Sequence, residues 1–536
     1  MNKTLKDFKW DTDPNGRAGN NATNVEKVKD LLNSKGCGFC LAKFKQVTMH
    51  LGTGMTHACH HPVPHKIPLK EIEENPAALF NTKHLKTARK QMLNDEKPSE
   101  CDYCWRVEDN DGISDRFYKS LEPWAITDHD EIAQLTGDEN IFPSYLEVSF
   151  SNACNLACVY CGPEFSSVWV EKLKKSGPMK VLENTEHETW VQGWQDLETL
   201  SYKNREFNPY IDAFWKWIPE AYKHLKHYRI TGGEPLMSKE TFRSMDWFVE
   251  NPNKDLDFSI NSNFMVPDKL WDKFIKALED MRDSQCVNRI TIYTSVEGWG
   301  KRAEYARSGL DFELFKKRYE QIVALGDIRC VIMATYNMLS ISSIEQLYEW
   351  VLDLKMKYNP INAIKQIESD TGFKIDDYSL TDRYKKNPTH SIIVGIDVPY
   401  LRNPECLDIK YCSDDLVDEY MIPSLNYMSS HLENARWKNH MGFETYEIEK
   451  FRRIVIDRMY FIKKTEPHRN DDLNVMVNRA KFYDYVHEID RVNGTNFLEV
   501  FPEYENFYYI CKEAKDKYIT SQTTVAEDYT VSEHKL

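Results

Sequence analysis

Three cysteines, Cys154, Cys158 and Cys161, stand within the stretch "SNACNLACVYCGPE" in the spacing C-x3-C-x2-C. Three thiols cannot all pair among themselves, and a closed tetrahedral metal site takes four ligands. Clustered thiolates favour zinc, copper(I) or iron–sulfur clusters. Zinc would need a fourth residue. Glu164 is the next candidate in sequence, and nothing obvious follows it. A 4Fe–4S cube takes one ligand per iron, so three cysteines leave one iron open to a ligand that is not protein.

Two further groups carry chemistry. The stretch "RITGGEPLM" sets Gly232, Gly233, Glu234 and Pro235 at the end of an apolar run. Glycines there let a ligand approach the backbone closely, and the carboxylate beside them suits an ammonium. Taken alone, the same residues describe an ordinary strand-end turn. Upstream, Cys37, Cys40, Cys59, Cys101 and Cys104 lie in a segment rich in Cys, His and Pro. The spacing C-x18-C-x41-C-x2-C from Cys40 onward is open to a structural zinc site as well as to a cluster.

These residues need elements to hold them. Short apolar runs at 144–151, 227–232, 256–262, 289–295, 328–336 and 390–398 read as strands, with amphipathic helical stretches between most of them. Strand–helix alternation predicts a parallel sheet with right-handed crossovers. Six units are too few for a closed eight-fold barrel. The expected fold class is α/β, a partial (β/α)6 TIM-like barrel over 140–413 with an N-terminal Cys-rich metal-binding module and a helical C-terminal extension. Functional residues then belong at the C-terminal ends of the strands, where the three-cysteine loop lies.

Residues 1–35 read as a disordered leader. Residues 36–125 read as a Cys-rich module with one clear helix, Asn81–Asp95, and a composition ill suited to an apolar core of its own. Insertions at 166–225 and 358–389 interrupt the barrel. The first carries Trp169, Trp190, Trp194, Trp215 and Trp217, which read as core residues or as a cover over the site. Residues 414–519 read as helical and 520–536 as a disordered tail.

The chain has 536 residues, 41% apolar, with a net charge of −15. That balance disfavours a nucleic-acid coat or binding to anionic membranes. No apolar run is long enough for a transmembrane helix, and the N-terminus has no signal core, so a cytoplasmic location is expected. Of 13 cysteines, eight fall in the first 161 residues. In a cytosolic chain that clustering points to metal or catalysis more than to disulfides.

The cysteine spacing after the first strand, with Tyr160 before the last thiol, resembles the radical S-adenosylmethionine (radical SAM) superfamily. The resemblance implies that Cys154, Cys158 and Cys161 hold a 4Fe–4S cluster whose open iron takes the amine and carboxylate of S-adenosylmethionine. It implies reductive cleavage to a 5′-deoxyadenosyl radical that abstracts hydrogen from a substrate. Tyr160 fills the position near the adenine. The Gly232–Pro235 motif is similar to the family's ammonium-binding G-G-E-P. Asn261 and Asn263 match a third strand end. Ser295 and Arg307 match the pair that orients the cofactor, an Arg fork being suited to a carboxylate. Thr335 and Asn337 line the fifth strand end.

The N-terminal cysteines resemble the twitch (half-SPASM) auxiliary-cluster module, placed here in front of the barrel. That likeness implies Cys40, Cys59, Cys101 and Cys104 as ligands of a second 4Fe–4S cluster. The subgroup usually has two adjacent cysteines where this chain has Cys59-His60, so His60, His61 and Cys37 stay open as participants. The implied substrate is a peptide or protein, with a small molecule second, and the implied electron donor is a reduced flavodoxin- or ferredoxin-like protein. The alternative in another class is a scaffold that keeps clusters or zinc without turnover.

Overall fold

The computed structural model describes residues 3–11, 22–182, 201–203, 206–359, 393–401, 403–432, 442–465 and 472–533. The protein is mixed α/β, and its strands pair mainly in parallel. The strands described are β1 (Gln46–His50), β2 (Met55–His57), β3 (His65–Lys66), β4 (Tyr145–Ser149), β5 (Ala157–Cys158), β6 (His227–Thr231), β7 (Asn253–Ser262), β8 (Val287–Ser295), β9 (Arg307–Ser308), β10 (Ile328–Met333) and β11 (Val394–Asp397). The chain divides into two units. One comprises Met1–Asn152, Leu200–Ile260 and Asp283–Arg289, the other Ala153–Thr199, Asn261–Arg282 and Ile290–Leu536.

In the first unit the strand order is β3-β2-β1-β4-β6-β7. β1, β4, β6 and β7 run parallel, and β2 and β3 fold back as antiparallel hairpins. Alternation sorts the side chains. Val47, Met49, Leu146, Val148, Tyr228, Ile230, Phe258 and Ile260 are all buried on one face. Burial of such side chains contributes roughly 1.5–3 kcal/mol each. The opposite face is polar: Thr48, Glu147, Arg229 and Ser259 lie in register across four strands.

The N-terminal region departs from expectation in three ways. Residues 22–35, expected as disordered leader, form the helix Ala22–Lys35, which buries Val25, Val28, Leu31 and Leu32. Those four recur at helical spacing, a stripe diluted by the Asn and Lys around it. The Cys-rich segment is not irregular, since it supplies β1–β3 and the helices Lys83–Leu93, Asp102–Asp109 and Asp115–Leu121. Nor does it lack a core. Phe39, Phe44, Met92, Trp105, Phe117 and Trp124 pack with the Ala22–Lys35 helix in one cluster that includes Cys101 and Cys104. These residues are far apart in sequence, and the cluster is completed from outside the 36–125 window by the helix and by Ile126 and Ile132, so the window alone looked deficient.

In the second unit β8, β10 and β11 pair in parallel. The helices Asp268–Ser284, Phe312–Ala324 and Ile344–Tyr358 each bury one apolar stripe, such as Phe315, Tyr319, Ile322 and Val323. The helices Thr445–Thr465, Leu473–Asn493 and Glu505–Glu533 follow. The last runs through residues expected as a disordered tail. No Pro or Gly occurs in 505–533, so nothing interrupts a helix anchored by buried Phe507, Cys511, Ala514 and Tyr518. Trp190 and Trp194, and nearly all of the 358–389 insertion, lie outside the described residues. Among the described residues no helix is long and apolar enough to cross a membrane.

Candidate functional site

β4 ends at Ser149, and the chain reaches Cys154 five residues later. The loop does not wander. Ala157 and Cys158 form β5, which pairs antiparallel with β9, and Cys158 stands opposite Arg307. The register delivers the guanidinium to the thiol: Arg307 Nη1 donates to Cys158 Sγ at 3.3 Å. Arg307 Nε donates to Glu297 Oε2 at 2.8 Å. Its Nη2 donates to the other Glu297 oxygen and to the Tyr160 hydroxyl, which in turn donates to Glu297. Arg307 is 5% exposed and Glu297 1%. The result is a closed buried network of thiol, phenol, guanidinium and carboxylate. Networks of this kind fix one arrangement because any missing member leaves a charge unpaired.

The loop is held from several directions. Trp169 Nε1 donates to the Cys158 carbonyl at 2.9 Å, and the Tyr485 hydroxyl to the Val159 carbonyl. Cys154 N donates to Ser167 Oγ at 3.1 Å. Asn263 Nδ2 donates to Asn155 Oδ1 at 2.9 Å, and Asn155 Nδ2 to the Met265 carbonyl at 2.7 Å. The end of β7 is thereby tied to the cysteine loop. Burial pushes the Cys158 thiol up to about 12, with Arg307 opposing and Cys154 adding to the rise. Burial also lifts Cys161 well above the usual thiol range, and Cys158, Cys154 and Glu164 lift it further. The Cys158 and Cys161 thiols hold their protons until a metal replaces them.

The other expected residues fall as follows. Gly232, Gly233, Glu234 and Pro235 follow β6 in the first unit. Gly233 N donates to the Ser151 carbonyl at 3.2 Å, tying the motif to the stretch that leads into the loop. Gly232 has φ +123°, and a Cβ there would lie 2.5 Å from Ser149 Oγ. Glu234 is 2% exposed and accepts from the Leu236 N–H. Asn261 lies within β7, next to its last residue, and Ser295 ends β8, half-buried. The Thr335 carbonyl accepts from Asn337 Nδ2, and Asn337 Oδ1 from the Leu339 N–H. The Asn337 amide thus serves a buried turn.

Glu297 escaped the sequence reading, although it stands two residues after Ser295 in "TSVEG". An acid at a strand end is common. Only the fold puts this one against Arg307.

In the first unit Cys40, Cys59, Cys101 and Cys104 line one cavity, together with Lys43, His60, His61, Asp115, Arg116 and Lys119. Cys40 precedes β1, Cys59 follows β2, and Cys101 and Cys104 flank the start of the helix Asp102–Asp109. Burial pushes Cys59 and Cys101 up to about 12 and Cys104 to about 11. Cys37 is exposed and does not line the cavity. His61 stacks on Tyr103 and pairs with Asp115 at 2.7 Å. His60 Nε2 meets Gln46 Nε2 at 3.3 Å. Among the described residues no three His, Cys, Asp or Glu side chains converge on one point as a single metal ion would require.

A scan against protein-family models and searches of curated proteins and of solved structures find no match to this chain.

Proposed function

We propose that the protein is a radical SAM enzyme built on a partial barrel, with a second iron–sulfur cluster in its N-terminal region. The observation that carries this reading is the buried Cys158 thiol, in one short loop with Cys154 and Cys161, which stands opposite Arg307 in the β5–β9 pairing and accepts its hydrogen bond. The donor set fits a cluster with one iron left for a non-protein ligand. Cys154, Cys158 and Cys161 would hold the cluster, which, once reduced by the external donor, would supply one electron for breaking the sulfonium C–S bond of S-adenosylmethionine, with methionine leaving and a 5′-deoxyadenosyl radical left to take hydrogen from the substrate.

The chain's own residues prepare that site. Arg307 supplies fixed positive charge beside Cys158, which favours its thiolate. Glu297 and Tyr160 fix the guanidinium, so its direction does not depend on solvent. Burial and the Glu297 carboxylate hold the Tyr160 phenol protonated, so it remains a donor. In the first unit, Glu234 is a buried acceptor suited to an ammonium. The polar row Thr48–Glu147–Arg229–Ser259 supports the barrel reading, because a sheet covered by helices on both faces is apolar on both. Four thiols around one cavity fit a second cluster, and we assign Cys40, Cys59, Cys101 and Cys104 to it. A peptide or protein substrate and a small acidic electron-transfer donor complete the proposal.

The test is anaerobic reconstitution with iron and sulfide, followed by S-adenosylmethionine and dithionite. About eight irons per chain are expected, four per cluster, with 5′-deoxyadenosine as product. Cys158→Ala should lose the product and about four irons. Fully loaded protein that forms no deoxyadenosine, with or without candidate peptides, would overturn the enzyme reading.

A further inference from the structure

The four-cysteine cavity contains a charge that the thiols alone do not explain. Lys43 is 2% exposed and lines the cavity wall, three residues after Cys40 in the turn of helix Ala42–Lys45. Lys is almost never fully buried unless paired. Its ammonium pairs with Glu100, the residue before Cys101, and the other Glu100 oxygen meets His84. The Glu100 carboxylate offsets the cost of burying that ammonium. Arg116, the other buried cation on the wall, is used differently. Its Nε and Nη2 grip Glu108 at 2.9 and 2.7 Å, and its Nη1 donates to the Phe39 carbonyl. Both cations thus meet a carboxylate, but the partner of Lys43 is the residue next to Cys101, whereas Arg116 is turned to Glu108 and the Phe39 carbonyl.

We propose that Lys43 is the internal counter-cation of this cavity and raises the reduction potential of the cluster held there. The inference rests on the auxiliary-cluster reading above. Reduction adds one electron, hence one negative charge, to a group already ringed by four thiolates. A fixed positive charge that water cannot screen stabilises that added electron. Glu100 sets how much of the Lys43 charge the cluster feels.

The pair gives two variants with opposite signs. With Cys154, Cys158 and Cys161 replaced by Ala to leave one cluster, the full chain is reconstituted anaerobically and titrated with dithionite, with the midpoint read by electron paramagnetic resonance. Lys43→Met should lower the midpoint, Glu100→Gln should raise it, and Lys43→Arg should restore the unsubstituted value. A structural role would shift the two in the same direction or in neither. Midpoints that do not move, or that move together, overturn the inference while leaving the cluster in place. A chain that binds zinc and no iron at this site fails the auxiliary-cluster reading instead, and takes the inference with it. Should Lys43→Met not assemble, Glu100→Gln and Lys43→Arg decide the sign.

Discussion

At the scale of single residues the central element is the Glu297–Arg307 pair. Both groups are almost wholly buried, so removing one charge leaves the other without compensation. Breaking a buried pair from one side costs about 3–5 kcal/mol. Glu297→Gln should therefore lower the melting temperature of the metal-free chain markedly. It should also reduce deoxyadenosine formation by far more than Ser295→Ala does. Calorimetry of the metal-free chain reads the first effect and product assay the second; an unchanged melting temperature would mean that the pair is not formed in solution. Lys355–Glu447, also fully buried, makes the comparison fair. Lys355→Met should destabilise similarly but leave iron content unchanged, since it touches neither cysteine set.

At the scale of elements, the pairing of β5 with β9 sets Cys158 against Arg307 in the second unit, and the turn after β6 sets Glu234 within the first. Gly232→Ala brings a Cβ against Ser149 Oγ and the Ser151 carbonyl in a backbone conformation that disfavours side chains. The expected loss is at least about 1 kcal/mol, seen in denaturant melts. The helix Ala22–Lys35 is tested by Leu31→Ala. Leu31 is 0% exposed, and such truncations cost about 2–5 kcal/mol. Because this helix packs in the same cluster as Cys101 and Cys104, the variant should also lose auxiliary iron more readily to a chelator.

At the scale of the whole molecule, acid should destabilise the fold before the carboxylates titrate. Burial, with His57 beside it, holds His50 down at about 4. Burial, with His84, holds His65 at about 4. Unfolded imidazoles titrate near 6.5. As pH falls below 6.5 the unfolded chain takes up protons that the folded chain refuses, so stability is intact above 6.5 and drains away towards 4. The two together contribute roughly 1–3 kcal/mol after allowance for their partial exposure. Chemical denaturation from pH 7 to pH 4 should show the loss, and His50→Gln should flatten it. A stability that is level over that range would contradict buried, neutral histidines. Cluster loading should act in the other direction. A group that binds only the folded chain raises the melting temperature by mass action, so the reconstituted protein should melt above the metal-free one.

The sequence by itself determined the strands that end at Ser149, Thr231, Ser262 and Ser295, because each apolar run is short and bounded by polar residues. It also determined that three thiols follow the first of these strands, since the spacing is local. What it could not determine was anything that depends on contacts between distant segments. Glu297 became a site residue only when β9 brought Arg307 to it. Asn155 gained its partner Asn263 only across the fold. The Cys-rich segment looked coreless because its apolar residues are scattered along the sequence and part of their packing comes from outside it, from helix Ala22–Lys35 and from Ile126 and Ile132. Local pattern fixes which way a side chain faces along its own element. Only the packing of those elements fixes what it meets, and the charge network at Cys158 and the Lys43–Glu100 pair at the cysteine cavity are both products of that packing.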